Sequence, residues 1–482
     1  MFNPSSDIEL GKDIQLLIGV NGSGKSTILE AIAIIFSNIK SHILEQPIHS
    51  KEFNFEIDYS INVSQIIEST STTHSSKLTI HHIKLQYDKE YKMFCDGNEI
   101  KSKDEQLKYL PDNLIFYYSG ACTTLENIID LTEDEQAGDL YRKTNLKKVS
   151  KAINNILKNI IYIRKDYYPL LFILNFIDND CKIPLNNKDF FIDSVRFNIK
   201  QYRYTKNTDA SDLFKLTGYL RAYMDGILKH SYNGVERDDE KNIDFIEIGY
   251  HSGILEAVSR VTDRVENIFV GDSKFLAFQF ISLLFRIGFI KNIDVNINLN
   301  GEIISINDLS EGEQQIIILE AIKNVLCREN TVLFLDEPDA YLHPQRQREL
   351  IPYLQSKFSE SYTQIITTSH SPYVAQSTRF DSILIFDQNG KNIINENKIL
   401  DTEVITDVLF GVNERFKENI ESDLDEFRIF RNNIINNQNI DIKLFKELIL
   451  RLDNYGEETR VIINRELKQL KRLVNFELDG IS

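Results

Sequence analysis

Apolar and polar positions follow different periods along this chain, and the changes of period divide it. Early on, short runs rich in β-branched and aromatic residues predict strands: "DIQLLIG" (Asp13 to Gly19), "FNFEIDYSI" (Phe53 to Ile61), "LTIHHIKLQY" (Leu78 to Tyr87) and "NLIFYYSG" (Asn113 to Gly120). Their alternation predicts a largely antiparallel layer. From about Leu125 to Ile290 the pattern reads as mostly helical, with a turn-and-strand interruption over Asn233 to Ile248. Then follow "VNINLN" (Val295 to Asn300), a helix opening at "LSEGEQQ" (Leu309 to Gln315), the solid apolar strand "TVLFLD" (Thr331 to Asp336), a second strand "QIITTS" (Gln364 to Ser369), and a hairpin turning at Asn389-Gly390. Strands without polar alternation, separated by helices, predict a parallel sheet covered on both faces, hence an α/β fold.

A length of 482 residues exceeds one ordinary core, and 42% hydrophobic with 26% charged residues is a globular composition. The greasiest run, Phe275 to Ile290, contains Gln279 and Arg286 and falls short of the roughly 20 residues a bilayer needs. The N-terminal "MFNPSSDIEL" lacks the regions of a signal peptide, and Cys95, Cys122, Cys181 and Cys327 show no CxxC spacing. The expectation is a cytoplasmic chain with reduced thiols, no membrane partner and no cysteine-built metal site.

A net charge of −17 confines any nucleic-acid contact to a local patch. The candidate is Tyr141 to Lys165, where Arg142, Lys143, Lys147, Lys148, Lys151, Lys158, Arg164 and Lys165 stand without an acid. Leu146, Val149, Ile153, Ile156 and Ile160 recur at helical spacing, leaving the lysines on another face, which serves equally as an ordinary solvated surface.

"GVNGSGKST" (Gly19 to Thr27) follows a strand and opens a helix, the context that gives the GxxxxGK[ST] pattern its meaning. Its glycines let successive N–H groups of Asn21, Gly22, Ser23 and Gly24 curl toward phosphate oxygens. Lys25 reaches the β- and γ-phosphates, the Ser26 hydroxyl ligates Mg2+, and Thr27 completes the loop of an ATP site. "TVLFLDEPDAYLHP" ends an apolar strand on Asp336, suited to holding magnesium, and Glu337, suited to activating water. "TTSHSP" sets His370 just after the next strand, within reach of a γ-phosphate.

Together these motifs resemble the ATP-binding-cassette class, with Walker A at Gly19 to Ser26, signature at Leu309 to Glu313, Walker B at Leu333 to Glu337 and switch histidine His370. The resemblance implies an ABC-type P-loop ATPase with an antiparallel β subdomain, a large helical lid insertion and a helical C-terminal extension. It divides the chain into 1–123 and 291–400 as the two halves of the ATPase lobe, 124–290 as the lid, and 401–482 as the helical tail. In that class the signature serves a nucleotide held by the opposite subunit, so Ser310, Gly312 and Glu313 are expected to meet ATP bound to another copy of the chain. A homodimer or higher homo-oligomer joined through its ATP sites is implied.

"LSEGEQQ", "DEPDAYLHP" and "TSHSP" look more like the RecF, SMC-like and OLD-nuclease group than like transporter cassettes, whose loop usually carries Asp where His343 stands. No sustained heptads fill the insertion, and the DxD at Asp423 and Asp425 sits on a helical pattern and reads as a solvated face rather than a nuclease site. The tail "ITDVLFGVNERFKENIESDLDEFRIF" resembles that of the Septu ATPase and its retron-associated relatives in bacterial defence. That resemblance implies an ATPase regulating a separate HNH-type nuclease, with no nuclease activity of its own. Residues from 401 onward, with 17 acids against 12 Lys and Arg, are the docking candidate for such a partner. A RecF-like DNA-maintenance ATPase and a transporter ATPase are the alternatives. No glutamine follows "LIFYYSG" where a Q-loop is expected, and Ser119 stands near that place.

Overall fold

The computed structural model describes residues 14–19, 22–48, 50, 52–67, 75–120, 122–130, 159–177, 190–203, 220, 224, 231–235, 242–248, 273–358, 363–379, 382–386, 418–436, 441–455, 459–460, 463–467 and 470. It divides into two compact units, residues 1–399 and 400–482.

The first unit is organised by a six-stranded parallel sheet: β1 (Ile14–Gly19), β6 (Asn113–Tyr118), β7 (Asn159–Ile163), β13 (Thr331–Asp336), β14 (Thr363–Ser369) and β15 (Ile383–Phe386), in the order β15-β1-β14-β13-β6-β7. These strands are buried at successive positions and lack polar alternation because both faces are covered. Leu17, Phe116, Phe334 and Ile366 join one core with Ile28, Leu29, Ala33 and Phe36 of helix α1 (Lys25–Leu44). On the other face Leu16, Ile18, Ile115, Leu333 and Leu335 are just as buried. Phe116 and Phe334, neighbours in register, stack at 4.5 Å. By length and composition α1 could cross a membrane, but most of it is buried inside this core.

Beside this sheet lies a four-stranded antiparallel sheet, β2 (Phe55–Ile67), β3 (Ser75–Tyr87), β4 (Tyr91–Cys95) and β5 (Asn98–Glu99). In β2 the odd positions Ile57, Tyr59 and Ile61 turn toward the core while Glu56, Asp58 and Ser60 are exposed, the pattern of a sheet with one wet face. A five-stranded antiparallel sheet combines β8 (Phe190–Arg203), β9 (Ser231–Val235), β10 (Asn242–Ile248), β11 (Ile290–Leu299) and β12 (Glu302–Ser305). Among the described residues, the helices of this unit after α1 are α2 (Lys103–Lys108), α3 (Tyr168–Asn175), α4 (Ser273–Arg286), α5 (Glu311–Ala321), α6 (Pro344–Phe358) and α7 (Pro372–Gln376).

The structure departs from the sequence reading in two places. Of the four early runs, only those in β2 and β3 pair antiparallel; β1 and β6 lack polar alternation and belong to the parallel sheet. Within the stretch read as mostly helical, "NIIYI" is β7, so Ile160 is a buried sheet residue rather than part of an amphipathic helix. Phe190–Arg203 is likewise a long strand. Its apolar positions Ile192 and Val195 are three apart, which imitates a helix, because the pairing with β11 skips Asp193 in a bulge. The hairpin at Asn389-Gly390 and the basic residues from 141 to 158 lie outside the described residues.

In the second unit α8 (Glu418–Ile435) and α9 (Ile442–Asn454) pack through Leu424, Phe427, Phe445, Leu448 and Leu452, with the Phe427 and Phe445 rings stacked at 5.4 Å. Asp423 accepts from Tyr455 Oη at 2.9 Å and pairs with Arg451, and Asp425 pairs with Arg428, so both acids of the DxD are engaged on a helix.

Candidate functional site

The site lies at the C-terminal edge of the parallel sheet, where the loops after β1, β13 and β14 meet, the usual place for ligands in such sheets. A Cβ at Gly19 would run into the Phe386 carbonyl oxygen and stand 2.8 Å from Ser23 Oγ, so the strand can leave the sheet here only as glycine. Gly22 and Gly24 take φ of 80° and 89°, left-handed values that curl the loop before α1. Gly24 caps α1 without a side-chain hydrogen bond, and the first turn holds no acid. The positive end of α1 is therefore left for an external anion. Lys25 is buried and donates to Gly19 O at 2.9 Å and to Ser23 Oγ at 3.4 Å. Burial lowers its pKa, and the charges of Glu337 and Asp336 oppose that shift. Ser26 is half-buried, Thr27 is exposed, and Asn21 lies outside the described residues.

Asp336 ends β13 and is buried. Burial pushes its carboxyl upward, against hydrogen bonds from Thr368 and Ser26. A hydroxyl and a carboxylate joined in this way form the hard-oxygen donor pair that magnesium takes, so the residues present fit that ion chemically. Glu337 sits at φ 51°, in the left-handed region that non-glycine residues enter at a cost of about 1 kcal/mol or more. Its N–H donates to Thr368 Oγ1 at 3.0 Å, and its Oε1 lies 3.3 Å from His370 Nε2. The hydrogen bond with His370 holds the Glu337 carboxyl below its ordinary range, keeping it ionised.

The signature region is arranged differently. Ser310 caps α5 in a reciprocal box: Glu313 N donates to Ser310 Oγ at 3.4 Å, and Ser310 N donates to Glu313 Oε2 at 3.1 Å. The start of α5 thus carries its own carboxylate, in contrast with α1. A Cβ on Gly312 would stand 3.2 Å from Tyr341 O and 3.7 Å from Leu342 Cδ2, so glycine lets α5 approach the loop after Walker B. Gln315 reinforces that contact by donating to Pro338 O. Lys25, Ser26, Asp336, Glu337 and His370 are brought together, while Ser310 and Glu313 pair with each other at the start of α5.

Two residues that the sequence reading did not single out organise the site. Thr368 donates to Asp336 and accepts from Glu337 N–H, fixing both acids from the neighbouring strand. Asp339 is buried, accepts from Ser369 Oγ at 2.9 Å, and is pushed up to about 6 by burial. Both stand inside motifs already noted, "TTSHSP" and "DEPDAYLHP", but their roles depend on the β13–β14 register, which no local pattern encodes. Ser119, near the missing Q-loop glutamine, donates its N–H to Asp336 O at 3.2 Å. Of the basic stretch, Arg164 is engaged by Glu126 at 3.0 Å and Asp130 at 3.3 Å, which withdraws it from a phosphate-binding face.

The Retron Vc95 probable ATPase of Vibrio cholerae serotype O1 biovar El Tor is 23% identical over 407 residues, 78% of this chain and 69% of that protein. Among solved structures, the SMC head domain from Thermotoga maritima is 10% identical, covering 81% of this chain and 93% of that one, with a TM-score of 0.30. The recombination mediator protein RecF is 14% identical, covering 76% and 88%, also at 0.30. The model of the AAA ATPase domain family matches residues 4–375, a span that runs from before the P-loop, through the signature helix and Walker B, to beyond His370. A match of that extent decides the family: the chain belongs to the AAA ATPase domain family and is an ATPase.

Proposed function

We propose that the chain is the ATP-driven regulator of a bacterial anti-phage defence complex and controls a separate HNH-type nuclease through ATP-dependent, head-to-tail assembly of its own copies. The hydrolytic half of this reading rests on one observation, the convergence of Lys25, Ser26, Asp336, Glu337 and His370 on the C-terminal ends of adjacent parallel strands. Lys25 and the α1 N-terminus hold the phosphates, with Gly22, Ser23, Gly24 and Thr27 in the rest of the cradle. Ser26 and Asp336 would hold magnesium, which supplies charge neutralisation on the phosphates. Glu337 orients the attacking water and accepts its proton, and His370 keeps that carboxylate ionised and aimed.

The assembly half is supported by the signature helix. Ser310 is exposed and, with Glu313, closes the start of α5 in a capping box that a second copy can reach. A second copy supplying these residues would complete each site. The defence assignment is supported by similarity to the Retron Vc95 probable ATPase and by the tail's resemblance to Septu-type ATPases. For the nuclease we assign α9, which exposes Ile442, Leu444 and Leu450 on an acidic tail.

The test is to purify the chain alone and with whatever co-purifies from its native host, and to incubate each with plasmid, single-stranded DNA and tRNA in the presence of ATP and Mg2+ or Mn2+. The reading expects slow ATP hydrolysis and intact nucleic acid with the chain alone, and cleavage only with the partner. Cleavage by the isolated chain that disappears in a point mutant of the tail would place a nuclease here and overturn the division of labour.

A further inference from the structure

The outer antiparallel sheet holds a cluster that the ATP site does not use. His81 of β3 and Cys95 of β4 lie on neighbouring strands, and Asp96 begins the turn between β4 and β5. Asp96 has φ 49° and Gly97 φ 83°, the double left-handed pair of a tight hairpin turn, which folds the Asp96 side chain back over the sheet. There His82 N donates to Asp96 Oδ1 at 2.9 Å, leaving Oδ2 turned toward His81 Nδ1 at 2.8 Å. Cys95 Sγ is 3.5 Å from His81 Nδ1 and 3.6 Å from Asp96 Oδ2. The His81 ring is braced edge-on against Tyr109, with centroids 5.5 Å apart, and Tyr59 Oη anchors the Tyr109 carbonyl at 2.7 Å. His82 faces away and meets Ser60 at 3.0 Å.

We propose that His81, Cys95 and Asp96 form a binding site for a thiophilic divalent cation of the zinc class, with three protein ligands and a water in the fourth position. A tetrahedron with bonds of about 2.0–2.1 Å to N or O and about 2.3 Å to S has N–S and O–S edges of about 3.6 Å, which the two sulfur distances already match. Only the N–O edge must open, from 2.8 Å to about 3.3 Å. A nucleophilic triad is a poorer account of the same residues. In a triad the two ring nitrogens serve different partners, whereas here the same Nδ1 faces both the thiol and the carboxylate. The donor set also selects the ion, since a thiolate with an imidazole suits zinc-like cations and not magnesium or calcium. On binding, the Cys95 thiol proton leaves to solvent, and the His81 proton resides on Nε2. His81 is partly buried and Asp96 half exposed, so an ion has a route in from solvent. The ion would staple β3 to the β4–β5 turn. Sequence spacing hides the site because its ligands are neighbours across strands.

Titration of the full-length chain with Co2+, read by absorption spectroscopy, tests this. We expect one equivalent with a thiolate-to-cobalt charge-transfer band, displaced by Zn2+ and unaffected by excess Mg2+. Cobalt at Ser26 and Asp336 has only oxygen donors and gives no such band, which separates the two sites. Cys95→Ser should abolish the band, and His81→Ala should weaken binding by more than the roughly 10–100-fold typical of an outer-shell change. Asp96→Asn preserves the shape and the thiol, so it should keep the circular dichroism of the parent while binding cobalt at least tenfold more weakly. Absence of the band in the parent chain, its persistence in Cys95→Ser, or unchanged affinity in Asp96→Asn would overturn the proposal.

Discussion

His370 Nε2 and Glu337 Oε1 lie 3.3 Å apart across the ends of β14 and β13, joining the residue after one strand to the acid after its neighbour. That contact is the main reason the Glu337 carboxyl stays below its usual range. The water-activating role proposed for Glu337 requires an ionised carboxylate, so removing His370 has a definite sign. His370→Ala should raise the Glu337 pKa and move the acid limb of the kcat–pH profile to higher pH, whereas His370→Asn, which can still donate, should move it less. A limb that stays in place in His370→Ala would show that the contact does not tune the acid.

Glu337 holds φ 51°, where glycine is at ease and glutamate is not. Glu337→Gly should therefore raise the stability of the ATPase unit by about 1 kcal/mol while abolishing turnover, the mark of strain retained for function. A thermal melt checks this, and a lower midpoint for Glu337→Gly would count against strain at this position.

Asp339, pushed up to about 6 by burial, also faces the charges of Glu337, which raises it, and His370, which lowers it. A carboxyl raised in the folded state contributes stability fully below its unfolded value of about 3.9, and loses that contribution as pH rises through about 6. The loss is on the order of 3 kcal/mol for a shift of this size. Asn does not titrate, so Asp339→Asn should gain on the parent in melting temperature between about pH 4 and pH 7. A difference between the two that is flat with pH would contradict this.

Shared sites make a complementation prediction. A chain carrying Lys25→Ala mixed with one carrying Ser310→Arg forms one site with both defects and one intact site, provided each site takes Lys25 from one copy and Ser310 from the other. ATPase activity should reappear in the mixture, and light scattering should show nucleotide-dependent pairing. Nucleotide-dependent pairing without recovered activity would mean that both sites must fire together; no pairing would mean that the sites are not shared.

The parts of the molecule that were legible in the sequence are local. Gly19 to Thr27 and Leu333 to Glu337 announce themselves because strand, loop and chemistry are consecutive, and His370 follows from the strand before it. Parallel pairing of β13 and β14 is readable from strands without polar alternation separated by a helix. What escaped depends on register or on interruptions of pattern. The bulge at Asp193 gives β8 a helix-like spacing, and "NIIYI" continues the helical spacing of the basic sequence before it. Thr368 and Asp339 acquire roles only when β13 and β14 are aligned, and His81 meets Cys95 and Asp96 only across a hairpin.

In the proposed mechanism Glu337 performs the hydrolytic step, and ATP binding depends on Lys25. The most direct measurement compares ATP affinity and single-turnover hydrolysis in the parent, Glu337→Gln and Lys25→Ala. Glutamine preserves the shape and polar contacts but cannot accept the proton, so affinity should stay within a few-fold while hydrolysis falls by roughly 100- to 10,000-fold. Lys25→Ala should instead lose binding itself. Turnover by Glu337→Gln close to that of the parent would show that Glu337 is not the base.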